Sequence, residues 1–303
     1  MSDYVPPLDD IAFVLNHLCD IEELSRLEPF GHADPATVQG IVEEAGRFMA
    51  SAIAPLNHPA DQQGLTLADG VVTTPDGFKE AYGQYVAAGW GAVPFDPEYG
   101  GGGFPWVVGV ALQELLSTAS MAFSMGPLLT QGAIDMLQHH SSAEQKAIYL
   151  PKMLTGEWTG SMNLTEPQAG SDVGALITKA VPAGDGTHRI TGQKIFITFG
   201  EHDMAENIVH LVLARTPDAP PGTKGISCFI VPKFLVEEDG SLGTRNGVTC
   251  VSIEHKMGIH ASPTCTLVYE DAVGFLIGDE NQGMRYMFTM MNNARLSVGL
   301  EGL

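Results

Sequence analysis

The stretch Met162-Asn-Leu-Thr-Glu-Pro-Gln-Ala-Gly-Ser-Asp172 divides this chain into two regimes of hydrophobic patterning. It is dense in short polar and small residues. A loop of this composition can set backbone N–H groups and hydroxyls against a phosphate or the polar edge of a ring. Composition alone equally allows an ordinary helix-to-strand connection, so the flanks have to discriminate.

Upstream the period is helical. Asp9 and Asp10 precede Ile11, Val14, Leu15, Leu18 and Cys19, the stripe of an amphipathic helix. Asp34-Pro35 reads as an N-cap with proline at the first helical position, and Val38, Ile41, Val42, Ala45, Phe48, Met49 and Ile53 continue the period. Phe78 to Gly89 gives a third helix, Asp96 to Gly103 a glycine-rich loop, and Trp106–Ser120 and Leu128–Gln138 two more helices. Ser142 with Gln145 predicts a capping box for a last one, stopping before Gly156.

Downstream of Trp158 the runs are short and strand-like: His188–Phe199 around Gly192, Ile208–Ala214, Gly225–Val231, Val248–Ile253 and Cys265–Tyr269. No helical pattern separates them, which predicts an antiparallel sheet region and excludes a βαβ array. From Gly283 a helical pattern returns through Met284, Met287, Phe288 and Met291 and is still running at Leu303, as if cut. The expected class is α+β. An N-terminal all-α domain (1–157) precedes an antiparallel, β-barrel-like middle domain (158–280), and the first helix of a truncated C-terminal bundle follows (281–303).

With 15 Lys+Arg against 36 Asp+Glu the net charge is −21, a field that repels nucleic acid and anionic lipid and argues against both as partners. No apolar run approaches a membrane span, and Met1-Ser-Asp-Tyr-Val-Pro-Pro has neither the basic nor the apolar part of a signal peptide. A cytoplasmic protein is the expectation. Cys19, Cys228, Cys250 and Cys265 contain no CxxC pair and read as buried thiols, and the histidines follow no metal-ligand spacing. No metal site is expected. His139-His140 reads as surface capping of a helix end.

Thr165-Glu-Pro-Gln-Ala-Gly-Ser-Asp172 meets every fixed position of the flavin-binding signature Thr-Glu-Pro-x-Ala-Gly-Ser-Asp, and so resembles the acyl-CoA dehydrogenase family. Asp96-Pro-Glu-Tyr-Gly-Gly101, Phe196-Ile-Thr198 and Met291-Asn-Asn-Ala-Arg-Leu296 are similar to further family segments in the same order. The chain has no GxGxxG, so the resemblance implies FAD held away from any Rossmann loop. Met162, Asn163, Leu164 and Gln168 look most like the branch with 3-methylmercaptopropionyl-CoA dehydrogenase and broad-range long-chain enzymes.

The resemblance further implies that Met162, Asn163, Leu164, Thr165, Gly170 and Ser171 line the flavin. Phe196, Ile197 and Thr198 would pass beside it, with the Phe196 ring against the isoalloxazine and the Thr198 hydroxyl near N5. Ser171, Asn292 and Arg295 would contact substrate, although many members have Asp where Asn292 stands. It also implies oxidation of an acyl-CoA to its trans-2-enoyl form, an electron-transfer flavoprotein as acceptor, and a homodimer or homotetramer at full length. An oxidase of the same fold is the alternative activity, and a catalytically inactive truncated flavin- and CoA-binding module the alternative from another class. No catalytic base is expected within the chain. Ala294 stands where one branch of the family has Glu before the arginine, and Glu301 reads as a solvated charge on another face.

Overall fold

The computed structural model describes residues 4–303; the reading of Met1, Ser2 and Asp3 lies outside the described residues. Helices fill the first half: α1 (Leu8–His17), α2 (Ile21–Leu24), α3 (Pro35–Phe48), α4 (Ala54–Gln63), α5 (Phe78–Ala87), α6 (Trp106–Ala119), α7 (Met121–His140) and α8 (Ala143–Thr155). The Asp34 carboxylate accepts from the N–H groups of Ala36 and Thr37, so α3 starts where the Asp-Pro pair predicts. Ser142 and Gln145 form the reciprocal capping box of α8, which stops at Gly156 with φ +86°.

Two boundaries differ from expectation. A π-helical turn, Met49–Ile53, carries α3 straight into α4. Helix α7 begins at Met121, capped by Ser120, ahead of the expected start at Leu128, and runs through Gly126-Pro127. At Gly126 the Phe199 ring packs close, 3.1 Å from where a Cβ would stand. An unpredicted hairpin, β1 (Thr66–Ala68) with β2 (Val71–Thr73), interrupts the helices; its Asp69-Gly70 turn has φ +51° and +76°.

The second half holds β3 (Trp158–Asn163), β4 (Lys179–Pro182), β5 (His188–Thr198), β6 (Asn207–Ala214), β7 (Ser227–Pro232), β8 (Phe234–Val236), β9 (Leu242–Arg245), β10 (Val248–Ile253) and β11 (Thr264–Leu276). Strands β8 and β9 pair with each other. The others run in the order β3-β6-β7-β11-β5-β4, with β10 also on β11. Strand β11 joins two sheets: its first part pairs with β5 and β10, its last two residues with β7. The Ala180 N–H donates to the Arg215 carbonyl (2.8 Å) and the Arg215 N–H to that of Thr178 (2.9 Å), curling β4 back toward the end of β6.

One pair departs from the antiparallel expectation: β3 lies parallel to β6. Parallel neighbours need a long crossover. Here residues 164–206 provide it and themselves contain β4 and β5, so no helical period betrays it.

Helix α9 (Gly283–Leu300) ends with Glu301 as its cap and does not run to Leu303. It packs on α7, where His140 stacks on Tyr286 (4.6 Å between ring centroids) and shares a hydrogen bond with Thr289 (2.7 Å). His140 is thus an interhelix contact, not a surface cap; only His139, bonded to Asp135 (3.1 Å), fits that description. Leu137, Leu150, Trp158, Leu211, Ile230 and Met287 form one core that welds α7, α8, the sheet and α9 together. Burial of each such side chain contributes about 1.5–3 kcal/mol. Cys228, Cys250 and Cys265 are buried and Cys19 partly so, all as free thiols. Among the described residues no group of His, Cys, Asp or Glu could hold a metal ion, and no helix is long and apolar enough to cross a membrane.

Candidate functional site

The loop that follows β3 is closed by one carboxylate. Glu166 accepts from the N–H groups of Ile177 (2.7 Å) and Thr178 (3.1 Å), the Thr178 hydroxyl (2.5 Å), the Gln168 amide (2.6 Å) and Lys194 Nζ (2.8 Å). The loop's entry and exit are thereby tied to a single point. Burial raises the Glu166 carboxyl, but Lys194 and the Ile177 N–H outweigh it and hold the group below its ordinary range. Burial pulls the Lys194 ammonium down to about 8 against the opposing pull of Glu166.

Strand β5 grips the same loop from its other side. Lys194 Nζ donates to the Leu164 carbonyl (2.9 Å), and the Ile195 N–H to that of Thr165 (2.9 Å). Just beyond, the pairing with β11 slips between Leu267 and Cys265, and Phe196 takes φ +58°. For an aromatic residue this left-handed conformation is strained, of order 1–3 kcal/mol, and tends to occur where the surroundings impose it for function. Its result is a ring that is 56% exposed, between Ile195 and the buried Ile197.

The structure ties Leu164 and Thr165 to Lys194 and Ile195, which precede Phe196 and Thr198 on β5. The hydroxyls of Thr165, Ser171 and Thr198 and the N–H groups of Gly170, Ser171 and Asp172 have no hydrogen-bond partner among the described residues. Two residues of the predicted set are turned inward. Asn163 is buried, donating to the Ser161 carbonyl and hydroxyl and accepting from Tyr269, so both its donors are committed inside the protein. The Ile197 side chain lies in the core between the strands. Met162 and Leu164 are half-buried against the core that also holds Met287 and Met290 of α9.

Arg295 and Asn292 sit exposed on α9, joined to each other by Nη1 to Oδ1 (3.0 Å), with the guanidinium 5.3 Å from the Phe288 ring centroid. No hydrogen bond among the described residues links them to Ser171. Asn292 also borders a groove of about 560 Å³ between α6, α7 and α9, walled by Trp106, Gln113, Gln131, Asp135 and Leu296. Glu301 departs from its predicted role. Its Oε1 is enclosed without a partner, and burial raises its carboxyl while Lys256 opposes.

Sequence reasoning passed over Glu166 and Lys194, which organise the loop. The available signal was a charged residue inside the motif and another just before Phe196, in segments otherwise poor in charge.

Residues 36–157 match the acyl-CoA dehydrogenase N-terminal domain profile and residues 161–272 the acyl-CoA dehydrogenase middle domain profile. The chain is 50% identical to 3-methylmercaptopropionyl-CoA dehydrogenase of Ruegeria pomeroyi, over 99% of this chain and 51% of that protein. It is 37% identical to a broad-specificity linear acyl-CoA dehydrogenase of Mycobacterium tuberculosis, over 100% of this chain and 51% of that protein. The chain thus spans about half the length of these curated relatives. Butyryl-CoA dehydrogenase of Megasphaera elsdenii superposes with a TM-score of 0.71 at 25% identity, over 87% of this chain and 64% of that one. An acyl-CoA dehydrogenase of Bacillus anthracis solved with FAD does so at 0.71 and 26%, over 88% and 41%. The chain belongs to the acyl-CoA dehydrogenase family.

Proposed function

We propose that this chain is the flavin-binding portion of an enzyme that oxidises acyl-CoA thioesters to trans-2-enoyl-CoA and passes the electrons to an electron-transfer flavoprotein. The observations that carry this reading are a set of uncommitted donors, the Thr165, Ser171 and Thr198 hydroxyls and the N–H groups of Gly170 to Asp172, and an exposed aromatic, Phe196, on the strand that holds the same loop. Such a set suits a polar-edged planar ring with a pyrophosphate tail, and FAD, when bound, supplies the hydride acceptor. Phe196 covers the ring and excludes water. Thr165 and Thr198 offer donors where the reduced ring gains negative charge. Ser171 and the N–H groups near it hold the pyrophosphate, and Asn292 and Arg295 meet the CoA portion. The relatives support an acyl-CoA substrate, and one solved structure that this chain resembles is of an electron-transferring flavoprotein of Acidaminococcus fermentans.

The domain division at 157/158 and 280/281, a homodimer or homotetramer and a cytoplasmic location belong to the same reading. The α-proton acceptor is assigned to residues outside this chain. The test is FAD titration of the wild type and of the double variant Thr165→Ala/Thr198→Ala. Loss of two hydrogen bonds at about 0.5–1.5 kcal/mol each weakens binding roughly tenfold and shifts the flavin absorbance. Unchanged affinity and spectrum would remove these residues from the site.

A further inference from the structure

We infer that Lys194, through Glu166, is the positioning residue that sets the spacing between the two halves of the flavin-facing surface. The inference rests on the flavin reading proposed above. Three consecutive loop residues are held by two consecutive strand residues: Leu164 and Glu166 by the Lys194 side chain, Thr165 by the Ile195 backbone. Phe196 and Thr198 follow on the same strand. A shift of the ammonium therefore moves the Thr165 hydroxyl relative to the Phe196 ring, and the two must meet one rigid ligand together.

The pair lies out of water, with side-chain exposures of 0% for Lys194 and 1% for Glu166. A buried ion pair gives little net stability over an apolar pair of similar size, because desolvation offsets the Coulomb gain. What it does supply is geometry. Five donors converge on Glu166, so the carboxylate tolerates one arrangement of its neighbours, and Lys194 alone among those donors also reaches the carbonyl before Thr165. Neither side chain is among those offered to the ligand.

The experiment compares FAD affinity, flavin circular dichroism and melting temperature of the full chain in three variants. Lys194→Met leaves Glu166 charged and buried, so it is expected to melt earlier and to bind FAD at least about tenfold more weakly. Lys194→Met/Glu166→Gln removes both charges and is expected to recover most of the melting temperature while keeping the weaker binding and an altered dichroism. That separation of fold from flavin geometry is what a merely structural pair would not give. Thr178→Val, which deletes one hydroxyl from the same carboxylate, carries the same expectation at about threefold and decides the matter if the other two fail to fold. A folded double variant, or failing that Thr178→Val, with wild-type affinity and dichroism overturns the inference. If Thr165→Ala/Thr198→Ala moves FAD binding and the Lys194 variants do not, only the positioning role fails. If none of them does, the flavin reading fails first.

Discussion

The Tyr269 hydroxyl donates to Asn163 Oδ1 at 2.9 Å in the buried interior of the sheets, at the last residue of β3 before the loop closed by Glu166. Asn163 spends its amide on Ser161, whose hydroxyl shares a hydrogen bond with His210 (2.7 Å). Removing the phenol hydroxyl leaves Oδ1 buried and unpaired. Tyr269→Phe should therefore cost about 1–3 kcal/mol in a urea titration. A loss below the error of the titration would mean that Asn163 finds another donor.

Phe196 separates stability from binding in the opposite sense. Its φ of +58° is one that glycine adopts freely, and its ring is mostly exposed. Phe196→Gly should leave the fold's stability within about 1 kcal/mol of wild type, because the relieved strain offsets the flexibility gained by the unfolded chain. FAD affinity should still fall, since the ring is lost. A variant that unfolds readily would show that the ring packs on something it does not touch here.

Much of this was legible in the sequence, for local reasons. The caps at Asp34 and Ser142 bond to N–H groups two or three residues away, so their meaning is contained in short windows. The turn at Asp69-Gly70 is equally local, with Asp-Gly at positive φ joining two short strands. What stayed hidden was non-local. The parallel pairing of β3 with β6 depends on what residues 164–206 do in between. The Lys194–Glu166 pair spans 28 positions and looks like two surface charges until the loop is folded. The inward turn of Asn163 follows from strand alternation, which a motif match does not carry.

His202 and His210 make acid stability a measurable consequence of the same interior. Both are fully buried; burial, helped by Lys233, pushes each ring from 6.5 down to about 3. They are neutral in the fold, bonded to Thr159 and Ser161. The unfolded chain binds protons at these rings below about pH 6.5 while the folded chain does not until about pH 3. Their stabilising contribution is therefore complete above pH 6.5 and is lost as pH falls through that window, at up to about 1.4 kcal/mol per pH unit for each ring. Urea midpoints between pH 7.5 and 4.5 should fall with a slope of roughly two protons. A flat profile would contradict the neutral, buried state of the pair.

The chain by itself should not dehydrogenate an acyl-CoA. The α proton of a thioester is weakly acidic, and its removal needs a carboxylate within hydrogen-bond reach. Beside Arg295, where one branch of the family carries Glu, this chain has Ala294, buried and without a proton acceptor on its side chain. Glu301 is the residue that could upset this. It lies within about 20° of Ala294 around the helix axis, two turns further on, and its partly enclosed carboxyl is raised by burial, with Lys256 pulling it back. A raised carboxyl is a stronger base, yet two turns set it about 10 Å along α9 from the position that branch uses. The test is to saturate the chain with FAD and add octanoyl-CoA or 3-methylmercaptopropionyl-CoA without oxygen, in wild type and in Glu301→Gln. No bleaching of the flavin band in either is the expected result. Bleaching within seconds in wild type but not in Glu301→Gln would identify Glu301 as the proton acceptor and make the chain sufficient for the reaction. Bleaching in both would place the acceptor on another residue of this chain.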